Sequence, residues 1–132
     1  MPKQLIGSAP LFHVTNLKKS LDFYCEVLGF ERPTLWGDPP GFAMPQRDGM
    51  ILMLDQHTEA PLHNNGNWDA YFWVNDVPAL YAEFKAKGAL FEYGVEFKKL
   101  YGNLEFALKD PDGYFLAFGQ TLTEEELTVI TL

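Results

Sequence analysis

The chain has 132 residues, 47% of them hydrophobic and 21% charged, with 18 acidic against 10 basic side chains and a net charge of −8. Such a length suits one compact domain burying roughly two-thirds of the surface of its extended chain, and the composition is that of neither a disordered chain nor a membranous one, its apolar runs being far shorter than the roughly 20 residues that span a bilayer. The negative balance argues against nucleic acid and anionic membrane as partners and favours cationic ligands, while the single Cys25 and the opening "MPKQLIG", without the apolar core of a signal peptide, point to a cytoplasmic location.

The first predicted strand is "SAPLFHV". It is followed by "TNLKKSLDFYCEVLGF", where Leu17, Leu21, Tyr24 and Leu28 recur at helical spacing, Asn16 is the expected N-cap and Gly29 the expected C′ residue. Cys25 lies in this helix and is read as packing, because no base accompanies it. Two strand candidates come next, "FERPTLW" and "GFAMPQR", and then "DGMILMLD", an Asp-Gly turn leading into apolar residues. The segment 57–66, "HTEAPLHNNG", carries Asn, Gly and Pro and reads as a linker.

Beyond it the order repeats. "DAYFWV" is a strand, and "NDVPALYAEFKAKGA" is a helix with Asp76 as N-cap, Pro78 in its first turn, Leu80, Tyr81 and Phe84 on a buried stripe and Gly88 closing it. "LFEYGVEF" and "NLEFALK" are strands, and "DPDGYFLAFG" is again a turn feeding a strand. A shift of 60 places Phe12 on Phe72, Val14 on Val74, Asn16 on Asp76 and Tyr24 on Phe84. The expected fold class is therefore α+β, with two tandem βαβββ modules (about 5–56 and 67–120) in one domain, 1–121, enclosing a cleft as an incomplete barrel. Residues 122–132 form a C-terminal extension, with Thr123 and Glu126 at capping-box spacing. By strand alternation Pro10, Phe12 and Val14 face the helix, whereas Ala9, Leu11 and His13, like Asp69, Tyr71 and Trp73, face the other way.

"VTNLKKSLDFYCEVLGF", "VNDVPALYAEFKAKGA" and "EFALKDPDGYFLAF", in this order, resemble the vicinal oxygen chelate superfamily of glyoxalases, extradiol dioxygenases and fosfomycin- and bleomycin-resistance proteins. The resemblance implies paired βαβββ modules and commonly a homodimer. Metalloenzymes of the superfamily carry ligands at positions that fall here on Ala9, Met53, Asp69 and Ala117. Only Asp69 offers a hard donor, so neither a metal nor another cofactor is expected, and the reading leans away from turnover. His13, about 13 Å along the strand from Ala9, does not substitute at that centre. A separate site using His13, Asp55 or Glu105 is a minor alternative, and His57 and His63 read as surface histidines.

"WVNDVPALYAEF" and "EFALKDPDG" are most similar to the bleomycin-resistance branch, which implies sequestration of an aromatic or cationic, antibiotic-like small molecule in a dimer-interface cleft by stacking rings and carboxylates. The candidate ligand-binding residues are Trp36, Asp38, Phe42, Trp68, Asp69, Tyr71, Trp73, Tyr93 and Tyr101, with no catalytic residue assigned. "YGNL" stands where those proteins carry a Trp-Gly-Arg type segment, so ligand identity does not carry over. The alternatives are a lyase, isomerase or dioxygenase with non-standard metal ligands, and an inert relative that recruits a protein partner.

Overall fold

A computed structural model describes residues 2–59, 63 and 66–130, so that residues 60–62, 64 and 65 of the expected linker lie outside it. The chain divides into two compact units, 1–62 and 63–132, each an α+β module with one open four-stranded sheet.

In the first unit β1 (Leu11–Val14) leads into α1 (Leu17–Asp22), which continues as a π-helical turn over Phe23–Val27. β2 (Leu35–Trp36), β3 (Phe42–Ala43), β4 (Gln46–Arg47), β5 (Met50–Ile51) and β6 (Met53–Gln56) follow. The sheet order is β1-β6-β3-β2, with β1 and β6 parallel; β4 and β5 form a separate ribbon. The two expected middle strands are thus shorter than their sequences suggested, and "GFAMPQR" splits between β3 and β4. "MILML" is likewise two strands. Asp48 (φ 51°) and Gly49 (φ 81°) both take positive φ, which closes the β4–β5 hairpin, and the chain then exchanges β4 for β1 as its partner.

The second unit is more regular: β7 (Ala70–Trp73), α2 (Val77–Ala86), β8 (Phe91–Lys98), β9 (Asn103–Lys109) and β10 (Phe115–Thr121), ordered β7-β10-β9-β8 with β7 and β10 parallel. Its helix-facing side is an aromatic stack. Phe72, Phe118 and Phe106, from three adjacent strands, lie nearly parallel at 5.1 and 5.2 Å, and Phe84 of α2 meets Phe106 and Phe118 edge-on. Of the expected helix stripe Phe84 is buried, but Leu80 and Tyr81 are only half-buried; Val77 is the other buried residue. The stripe of α1 and its continuation, Leu17, Leu21, Tyr24 and Leu28, is buried throughout. The C-terminal extension holds α3 (Glu124–Ile130), started by a reciprocal capping box in which the Thr123 amide donates to Glu126 and the Glu126 amide to the Thr123 hydroxyl. Among the described residues no helix is long and apolar enough to cross a membrane.

The N-termini of α1 and α2 are satisfied in the same way. Asn16 and Asp76 accept from the third helical amides, those of Lys19 and Ala79, and a glutamine at or next to the end of each module's last strand accepts from the first helical amide: Leu17 N to Gln56 Oε1 at 2.8 Å, Val77 N to Gln120 Oε1 at 2.9 Å. Each glutamine ties a helix start to the strand that closes its module. Gln56→Ala and Gln120→Ala are each expected to destabilise the chain by about 1–2 kcal/mol, read as a lower denaturant midpoint at unchanged m-value.

Candidate functional site

The nine candidate residues are divided between the two units. Trp36, Asp38 and Phe42 belong to the first unit, where Trp36 and Phe42 are register partners across β2 and β3 with rings 5.7 Å apart and Asp38 is exposed in the connecting loop. In the second unit Trp68, Tyr71, Trp73, Tyr93 and Tyr101 converge on the sheet face opposite α2. Asp69 serves the backbone instead, its Oδ2 accepting the Phe115 amide at 2.8 Å and fixing the start of β10.

The centre of the convergence is Glu105, which is not among the nine. Along β9, Leu104, Phe106 and Leu108 alternate with Asn103, Glu105 and Ala107, so Glu105 points away from the helix into the middle of the aromatic face. It is fully buried. Tyr71 donates to its Oε1 at 2.9 Å, Tyr101 to the same oxygen at 2.8 Å, and Tyr93 to Oε2. Outer partners hold the phenols in turn: Asn103 Nδ2 donates to the Tyr71 hydroxyl at 2.8 Å and Trp68 Nε1 to that of Tyr93 at 3.2 Å. Three hydroxyls donating to two oxygens is the arrangement that an ionised carboxylate, an acceptor only, calls for. Among the described residues no cationic side chain forms an ion pair with it. The signal in the sequence was the glutamate itself, a charge at mid-strand in an otherwise apolar run.

Burial, and then the bond to Glu105, push the phenols of Tyr93 and Tyr101 well above the ordinary range. Tyr71 is pushed up to about 12, mainly by burial and further by Glu105, against the opposing effect of Asn103. The rings form a chain: Tyr101 to Trp68 at 6.2 Å, Trp68 to Tyr71 at 4.7 Å and Tyr71 to Trp73 at 5.0 Å. With Asn103 and Thr121 these four rings line a cavity of about 380 Å³, within the roughly 300–1,000 Å³ of small-molecule sites. Small residues on the same face, Ala107, Ala117 and Gly119, leave the room. At Gly119 the need is absolute, because a Cβ there would run into the Tyr71 hydroxyl.

The superfamily's metal positions do not fit a metal here. Ala9 and Ala117 have no donor, Met53 offers only a thioether, and Asp69 is engaged by the Phe115 amide. Burial raises the Cys25 thiol, in keeping with its reading as an unreactive packing residue. His57, however, is not an isolated surface histidine: it closes on Asp55 and His13. Strand pairing brings the three together, and spacing along the chain alone concealed this.

Because the folded-state values of the three phenols are raised, the unfolded chain gives up their protons first. The stability they contribute is complete below about pH 10 and is lost as pH climbs toward and past 12. Unfolding measured across that range should show stability falling with pH, less steeply in Tyr71→Phe. Gly119→Ala should push Tyr71 off Glu105, so that tyrosinate absorbance reports one phenol returning toward the ordinary value.

The sequence model of the Glyoxalase/Bleomycin resistance protein/Dioxygenase superfamily matches residues 10–118. Among solved structures, an integron cassette protein from the mobile metagenome of the Halifax Harbour sewage outfall is 24% identical (TM-score 0.71, covering 86% of this chain and 96% of that one). The bleomycin-binding protein of bleomycin-producing Streptomyces verticillus, solved with copper(II)-bleomycin, is 21% identical (TM-score 0.68, 93% and 100%). A glyoxalase-related enzyme from Clostridium phytofermentans is 14% identical (TM-score 0.74, 91% and 98%). At these identities the likeness is one of fold, and no curated protein matches the chain. On the family match over 10–118, the chain belongs to the glyoxalase/bleomycin resistance protein/dioxygenase superfamily.

Proposed function

We propose that this protein sequesters a small aromatic cation, antibiotic-like in character, in the cavity of its second module, without turnover. The observation that carries this reading is Glu105, a fully buried carboxylate without an ion-pair partner among the described residues, beneath a wall of tryptophan and tyrosine rings. Ring faces carry the negative part of the aromatic quadrupole, and a carboxylate behind them adds to the same field, so a flat, positively charged guest gains from both. The net charge of −8 would draw such a guest in. Binding is preferred to metal-assisted chemistry because three of the four superfamily ligand positions, Ala9, Met53 and Ala117, present no suitable donor.

A homodimer is part of the proposal, as is a cytoplasmic location. The helix-distant sheet faces expose Trp73 at 73% and Leu11 at 49%, apolar surface that a second copy would cover. Single-cysteine chemistry suits a reducing compartment.

Titration calorimetry with bleomycin, a flat cationic dye and a neutral isostere of that dye tests the reading. The cationic ligands are expected to bind one per cavity. Glu105→Gln should weaken them about tenfold, roughly 1.4 kcal/mol, and the isostere clearly less, whereas Trp68→Ala should weaken all three. No binding by any of them, or equal binding of dye and isostere, would sink the proposal.

A further inference from the structure

We propose that His13, Asp55 and His57 form a site for a divalent transition-metal ion, with Zn²⁺ the ion its donors suit best, away from the superfamily's ligand positions. The parallel pairing of β1 with β6 sets His13 directly opposite Asp55, and the ladder continues one step further, the His57 amide donating to the Val14 carbonyl at 2.8 Å. Asp55 and His57 are two residues apart on an extended segment and so project to one face, the face His13 also occupies. The ligand atoms of all three lie within 4.8 Å of one another. Asp55 Oδ2 is 2.9 Å from His57 Nε2 and 3.7 Å from His13 Nδ1, and the two imidazole rings are 4.0 Å apart.

Those separations match what a metal demands. Zinc bonds of about 2.0–2.2 Å to nitrogen and oxygen in a tetrahedron put neighbouring donors about 3.3 Å apart, between the two distances found. Two imidazoles and one carboxylate suit zinc and its neighbours, whereas Ca²⁺ and Mg²⁺ require more oxygens than the site offers. The backbone is fixed on both sides, since Asp55 also pairs with Phe42 of β3. Side-chain exposures of 46%, 36% and 48% for His13, Asp55 and His57 leave an entry path and a fourth position for water. The site differs from the superfamily's: His13 lies four residues beyond Ala9 and Asp55 two beyond Met53, at the far end of the same strand pair.

The test uses full-length, tag-free protein and ZnCl₂ alone. One Zn²⁺ per chain is expected by calorimetry, with affinity lowered at least tenfold in His13→Ala, Asp55→Asn and His57→Ala. In the wild-type protein, imidazole NMR resonances of two of the three histidines should move on titration while those of His63 stay, a readout that needs no variant to fold. Zn²⁺ should also raise the melting temperature of wild type but not of His57→Ala. Absence of stoichiometric binding, unchanged affinity in all three variants, or movement of His63 instead would overturn the site. Because the probe is the metal alone, this outcome is independent of whether the cavity of the second module binds an organic cation.

Discussion

Each module depends on one constraint, the parallel pairing of its first strand with its last. β1 with β6 and β7 with β10 cannot be joined by a tight turn, so everything between them must travel out and back. The helix is the first part of that path and covers one face of the pair, as a strand–helix crossover does. The pairing also delivers Gln56 and Gln120 to the helix starts, where they complete the accounting of orphan amides that Asn16 and Asp76 begin. Helix position, strand order and site geometry follow from these two ladders.

The same register shows how one scaffold position has taken on two chemistries. His13 faces Asp55 across the first pair, and Trp73 faces Gly119 across the second. Each ladder runs one step past its strands, but from opposite sides: in the first module the His57 amide, after the last strand, donates to Val14, and in the second the Val74 amide, after the first strand, donates to Gly119. The 60-residue shift of the first strands and the 64-residue shift of the last ones therefore map His13, Asp55 and His57 onto Trp73, Gly119 and Thr121. In the first module the position gathers nitrogen and oxygen donors. In the second it supplies an aromatic wall, a gap and a hydroxyl at the edge of the cavity, and the gap at Gly119 is what lets the Tyr71 ring reach Glu105.

Much of this was legible in the sequence. Helix stripes, both N-caps, the repeat and the helix-facing sides of β1 and β7 were written in local spacing, which is where periodicity and capping chemistry act. What depends on strand partnership was not. "FERPTLW" has the composition of a strand but pairs only at Leu35–Trp36 with β3 and through a single bridge from Glu31 to Gln46, and "MILML" looks continuous while its halves serve different partners, β4 and β1. His57 reads as linker until the β1 ladder is seen to hold its amide. The aromatic residues of the second module were found by type, and Glu105 was named only for a separate minor site; its place at their centre stayed hidden because its donors come from β7, β8 and the β8–β9 turn, up to 34 residues away.

Glu105 is also where the fold departs furthest from what stability alone would select. A carboxylate in a fully buried position is costly unless every lone pair is engaged, and an apolar residue among Ala107, Ala117 and Gly119 would avoid the cost altogether. Here the cost is offset by three phenol donors, two of which, Tyr71 and Tyr93, are held in turn by Asn103 and Trp68. Such a network orders the rings that carry it: each tyrosine that bonds Glu105 has its ring direction fixed, and Trp68 is fixed through Tyr93. The carboxylate thus does two things at once. It sets a rigid aromatic surface in place before any guest arrives, which lowers the ordering entropy that binding would otherwise cost, and it leaves that surface with a negative field behind it. A site built only for shape would need the first of these; the second is needed only if the guest carries positive charge.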